Sequence, residues 1–279
     1  MSDTVIQVGH SPDPDDAFMV WALAEGIVHA EDFDVQLVAK DIETLNKWAI
    51  ADQRLEATAL SAAAFARVAD KYWLLPHGAS FGDGYGPIVV ANRPMTLDEL
   101  SHITIAAPGE LTSAWAAMRL AAPHVKAEHK AFDKIIPLIK KGDHEAGLII
   151  HEGQLTWEQE GLHKVLDLGA WWKQETGLPL PLGVVALRKD LGPRLGEDVN
   201  ALLRASIETG LVMRKRALAY AQTFGRGLPL ADADRFVQMY VNALTVDMGE
   251  RGREAVDVFL GRCAKAGIVP AHARVEMAP

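Results

Sequence analysis

The strongest constraint on this chain is an alternation. Short apolar runs recur along it, and stretches of helical periodicity separate most of them. Val5–Gly9, Val35–Val38, Thr58–Ser61, Trp73–Pro76, Pro87–Ala91, Ile103–Ala107, Ala146–Ile150, Val165–Leu168 and Val184–Leu187 read as strands. Helices are expected at Phe18–Leu23, from Asp41 through Ile50, at Ala62–Ala69, Ala114–Leu120 and Phe132–Lys141, and from Val199 onward. Strands and helices in alternation predict an α/β fold with a mostly parallel sheet. The pattern breaks near Arg93 and resumes near Leu182, which predicts one lobe from residues 1–92 plus 182–279 and a second from 93–181. Two crossings between lobes make a cleft, a favoured place for a ligand.

Composition narrows the partners. The chain has 279 residues, 49% of them hydrophobic, enough for a full core, and a formal charge of −9, which argues against nucleic acid. Any anionic small-molecule substrate must therefore be held by local donors. Cys263 is the only cysteine, so no internal disulfide forms and a reducing compartment fits. The start, Met1-Ser2-Asp3-Thr4-Val5-Ile6, has no basic or long apolar segment, and no run approaches the roughly 20 apolar residues that span a bilayer. A cytoplasmic protein without membrane insertion is expected; its oligomeric state is left open. No metal is expected: Asp13, Asp15 and Asp16 do not follow a calcium loop, and Leu155 stands where a zinc protease would need its second histidine.

Candidate site residues fall at strand ends. The run Ala146-Gly147-Leu148-Ile149-Ile150 reads as a strand covered on both faces, and it delivers His151-Glu152-Gly153 to its carboxyl end. Ligands of α/β sheets collect there, and histidine titrates closest to neutrality, so His151 is a candidate base as well as a candidate structural histidine. Pro108-Gly109-Glu110-Leu111-Thr112-Ser113 lies between a strand and a helix; its hydroxyls and N–H groups suit either a ligand or a helix cap. Ser61 poses the same choice. Pro12 and Pro14 exclude helix from the first loop, with Asp15 or Asp16 capping the helix beyond it. Trp171 and Trp172 could wall a pocket or pack in the core.

These segments occur in a telling order. Ser11-Pro12-x-Pro14-x-Asp16-x-Phe18, Asp41-Ile42-Glu43-Thr44-Leu45-Asn46, Leu60-Ser61 and Gly84-x-Gly86-Pro87 come first. Pro108-Gly109-x-x-Thr112-Ser113-Ala114, the Ala146–Glu152 run, Asp167–Trp172, Thr176–Gly183 and Tyr240-Val241-Asn242-Ala243 follow. The chain resembles the 1,4-dihydroxy-6-naphthoate synthase family of the futalosine route to menaquinone, over nearly its whole length. The resemblance implies a two-lobed fold like a type II periplasmic binding protein, used as a lyase on cyclic dehypoxanthine futalosine with no metal or organic cofactor. It implies His151 as catalytic base and Ala59, Leu60, Ser61, Thr112, Ser113 and Ala114 as substrate-binding residues. Two departures stand out. Asp13 and Asp15 replace a cysteine and an asparagine in the first loop, which could repel an anionic substrate, and Ser113 replaces a second threonine. A non-catalytic binding protein for a small organic acid, or a paralogue with another substrate, are the alternatives.

Overall fold

The computed structural model describes residues 4–53, 55–271 and 275–279, so Met1, Ser2 and Asp3 of the N-terminal segment lie outside the described residues. Eleven strands occur among the described residues: β1 Val5–His10, β2 Asp34–Ala39, β3 Ala57–Ser61, β4 Tyr72–Leu74, β5 Ser80–Gly82, β6 Ile88–Ala91, β7 Thr104–Ala107, β8 Lys126–His129, β9 Ala146–Ile149, β10 His163–Asp167 and β11 Leu180–Arg188. They form two sheets, one ordered β2-β1-β3-β11-β4 with β5 also on β11, the other β10-β6-β9-β7-β8. Each sheet is the centre of one lobe.

The sheets are mixed rather than mostly parallel. Strands β1, β2 and β3 run parallel, as do β7, β8 and β9, but β11 is antiparallel to β3, β4 and β5, and β6 is antiparallel to β9 and β10. The reason is chain direction. A strand that follows a crossover helix ends at the cleft, whereas a strand that follows a crossing between lobes starts there and runs away from it. Strands β6 and β11 are those two strands. Their pairing also locates the crossings: Ile88–Ala91 already belongs to the second sheet, ahead of the division expected at 92/93, and Leu180 already pairs in the first, ahead of 181/182.

Local chemistry explains most element ends. Asp41 accepts from Thr44 N at 3.0 Å and starts helix Ile42–Ile50. Asp167 accepts from Gly169 N and Ala170 N, both at 3.0 Å, and starts helix Leu168–Thr176, which Gly177 closes at φ +73°. Pro137 is tolerated because it occupies the first turn of helix Ile135–Lys141, where no N–H is needed. Similarly, Pro14 is the first residue of helix Pro14–Ala24 rather than a barrier to it. The alanine-rich stretch is shorter than expected, with helix only over Ala62–Phe65. Pro181 lies inside β11, where the register shifts between Pro181 and Gly183 and so dispenses with a regular donor.

The largest apolar cluster runs through both lobes, joining Phe65, Tyr72 and Phe81 of the first to Ile105, Leu148 and Trp115 of the second. Helix Gly249–Lys265 connects them, supplying Val256 and Phe259 to that cluster. Trp172 is fully buried there, edge-on to Phe259 at 5.5 Å, with Arg262 over its face. Of its two expected uses, core packing is the one it serves.

The first crossing is fitted closely to helix Leu168–Thr176. A Cβ on Gly169 would lie 1.8 Å from the Tyr85 carbonyl oxygen and 2.7 Å from Gly86 N, both backbone atoms that cannot rotate away. Gly169→Ala should therefore cost about 2 kcal/mol through overpacking, measured as a lower urea midpoint with an unchanged m-value. An unaltered midpoint would show that the crossing yields freely.

Candidate active site

A cleft enclosing about 690 Å³, its open mouth included, lies where the parallel strands of both sheets end. Ala59, Ser61, Thr112, Ser113, Ala114 and His151 all line it. Leu60 does not: strand alternation turns its side chain to the opposite face, into the core.

The hydroxyl groups differ in what they have left to offer. Asn46 grips Ser61 from both sides, donating to its Oγ at 3.0 Å and accepting from its N–H at 2.9 Å. Ser61 Oγ thus keeps its own proton for the cleft, and it makes no cap bond to the short helix after it. Thr112 is committed to its helix, accepting from Trp115 N at 3.2 Å and donating to Gly109 O at 2.8 Å. Ser113 joins the lobes, donating to Leu182 O at 2.6 Å and accepting from Ala63 N at 3.2 Å. What helix Ser113–Ala121 presents to the cleft is therefore backbone: its first N–H groups, at Ser113 and Ala114, have no partner within the helix.

On the lobe facing Ser61 stands His151, in the left-handed backbone region at φ +57°. Its Nδ1 lies 3.1 Å from Asp13 Oδ2, and its Nε2 is buried with no partner. Asp13 is buried to 2% exposure and occupies the N-cap position of helix Pro14–Ala24, yet its carboxylate makes no cap bond. Instead Ser11 Oγ donates to Oδ2 at 2.6 Å and Arg226 Nη2 to Oδ1 at 3.0 Å. Arg226 also contacts Glu152 at 3.0 Å and lies over the Phe132 ring at 4.6 Å, and that ring is 4.4 Å from His151.

Asp15 and Asp16 sit in the first turn of helix Pro14–Ala24 rather than at its cap. Asp16 accepts from Ser11 N at 2.7 Å. Burial, with Asp16 and Asp13 close by, pushes Asp15 well above the usual carboxylate range. Burial likewise raises the Tyr240 phenol, whose oxygen is 2.6 Å from the Gln154 amide at the cleft wall. Asp13, Gln154, Arg226 and Tyr240 were not among the candidates, because their roles arise from pairing between distant segments. Cys263 is fully buried, and burial pushes its thiol up to about 12, far from a nucleophile. Among the described residues no group of three or more His, Cys, Asp or Glu is placed to hold a metal, and no helix is long and apolar enough to cross a membrane.

An aspartate whose pKa is raised by folding keeps its proton in the native protein after the unfolded chain has released it. Native stability then falls as pH rises from the ordinary value of 3.8 toward the raised one. Asp15→Asn removes that titration. The variant should be more stable than the parent near pH 7, with a smaller advantage near pH 4, in urea unfolding at both. An equal difference at the two pH values would show that Asp15 does not titrate between them.

Comparison with known proteins agrees with this architecture. Residues 6–265 match the profile of a family described as menaquinone biosynthesis. A 1,4-dihydroxy-6-naphthoate synthase of Thermus thermophilus is 40% identical over 251 residues, covering 90% of this chain and 91% of the relative. One from Streptomyces coelicolor is 35% identical, covering 97% of each. A solved structure from Archaeoglobus fulgidus superposes with a TM-score of 0.90 at 40% identity, over 96% of this chain and 99% of the other. The periplasmic aliphatic sulphonate binding protein of Escherichia coli shares the fold alone, with a TM-score of 0.66 and 13% identity over 100% of this chain and 94% of that one. Two lobes of the binding-protein type, enclosing a histidine-bearing cleft, thus carry the sequence of an enzyme family, and this chain belongs to the menaquinone-biosynthesis family of 1,4-dihydroxy-6-naphthoate synthases.

Proposed function

We propose that this protein converts cyclic dehypoxanthine futalosine to 1,4-dihydroxy-6-naphthoate in menaquinone biosynthesis, as a carbon–carbon lyase with His151 as general base. The observation that carries the reading is the His151 Nε2, buried at the cleft with no protein partner. A neutral imidazole there removes a carbon-bound proton beside an electron-withdrawing group; the pair left behind forms a C=C bond, the neighbouring C–C bond to the sugar-derived fragment breaks, and its pair leaves with that fragment, which takes up a proton. A base so placed contributes about 10²–10⁴-fold. The Ser61 hydroxyl on the facing lobe and the N–H groups of Ser113 and Ala114 on the same lobe as His151 hold substrate oxygens and the negative charge that develops on them. The joined lobes keep water from the intermediate. One buried cysteine suits a reducing cytoplasm.

The test is turnover of cyclic dehypoxanthine futalosine by the purified protein, followed by chromatography and mass of the naphthoate product. His151→Gln should lower kcat by about 10²–10⁴-fold while calorimetry shows substrate still bound. No naphthoate from the parent protein would overturn the substrate assignment, and substrate recovered unchanged after tight binding would favour a solute-binding role. Undiminished turnover in His151→Gln would move the base elsewhere.

A further inference from the structure

We propose that Asp13 is a positioning residue for His151: its carboxylate, oriented by Ser11 and Arg226, accepts a hydrogen bond from Nδ1–H across the cleft and leaves Nε2 bare toward the substrate. The proposal deepens the reading of His151 as base and rests on it.

The geometry leaves little choice of tautomer. Oδ1 of Asp13 takes Arg226 Nη2 at 3.0 Å, and Oδ2 takes Ser11 Oγ at 2.6 Å. An ionised carboxylate only accepts, so the Nδ1 lying 3.1 Å from Oδ2 is the nitrogen that gains from carrying the proton. In a neutral imidazole the lone pair is then on Nε2, the atom with no protein partner. The carboxylate cannot swing away, being 2% exposed and held on both oxygens.

The pair also spans the lobes. Asp13 follows β1 of the first sheet and His151 follows β9 of the second, so their contact exists only while the lobes are together. Arg226 links the same two sides. It reaches Asp13 and the Pro12 carbonyl on one, and Glu152 and the Phe132 ring on the other. Closing the cleft therefore sets the imidazole into its proton-accepting form, and an open cleft leaves the tautomer unspecified.

Asp13→Asn tests this with little change of shape. Arg226 requires an acceptor, so it claims the amide oxygen, and the amide NH₂ is left facing Nδ1. That reverses the hydrogen bond and moves the proton to Nε2. Nitrogen-15 NMR of the full chain with labelled histidine reads the tautomer directly, the His151 signals being identified by their loss in His151→Gln. The parent should show Nδ1 protonated and Nε2 bare, and Asp13→Asn the reverse. Its kcat should fall about 10²–10⁴-fold with KM changed only a few-fold, whereas a merely structural contact would alter the melting temperature and KM and leave the tautomer alone. A parent spectrum with Nε2 protonated overturns the proposal without any variant. An Asp13→Asn protein with parental spectrum and kcat overturns it too. If the tautomer follows Asp13 while His151→Gln turns over normally, the positioning contact stands and the base assignment alone fails.

Discussion

The strand ends meet in the cleft because of one constraint: a strand that follows a crossover helix in a parallel arrangement ends on the same side as its neighbours. Strands β1, β3, β7 and β9 therefore deliver Ser11, Ser61, the Pro108–Thr112 turn and His151 to the gap between the sheets. The same constraint dictates the exceptions. A chain that has just crossed from the other lobe must enter its sheet from the cleft, so β6 and β11 run against the rest. This is also why Leu182 and Gly183, near the beginning of β11, are in the cleft wall beside residues from strand ends. The mixed sheets are a consequence of crossing twice.

Two different forces hold the lobes. Away from the cleft, helix Gly249–Lys265 lies against both, and one apolar cluster passes through it, burying Trp172 and Phe259 completely. At the cleft itself many of the contacts are polar, among them Glu43 to Leu111 N at 3.2 Å, Ser113 to Leu182 O, Tyr240 to Gln154 and the Asp13–Arg226–Glu152 chain. Apolar burial at the hinge does not depend on the opening angle at the rim, whereas each rim contact exists at one angle only.

The sequence was most legible where chemistry is local. Asp41 caps the helix it opens, and the apolar run ending at His151 is a buried strand, because both signals depend only on near neighbours. Strand alternation also explains why the Leu60 side chain is in the core: a strand end turns every second side chain to a cleft, so of three consecutive residues only Ala59 and Ser61 line it. Strand β8, Lys126–His129, went unread because an exposed edge strand needs little apolar sequence. Arg226 was invisible for a different reason. It lies 213 residues from Asp13 in a Gly-Arg-Gly turn at φ +49°, and nothing local marks the carboxylate it will meet.

The acidic loop shows how far a charge count in sequence can mislead. Three aspartates within four residues, beside a cleft meant for an anion, suggest repulsion. Folding removes most of it by a separate route for each. Asp13 is matched by the Arg226 guanidinium, which Glu152 also engages. Burial holds Asp15 well above the usual carboxylate range, which favours its neutral form. Asp16 accepts from the Ser11 amide at the loop's own turn, and burial raises it as well. The substitution of acids for neutral residues in this loop is therefore compatible with an anionic substrate. One carboxylate is matched by an arginine, and burial shifts the other two toward their neutral forms.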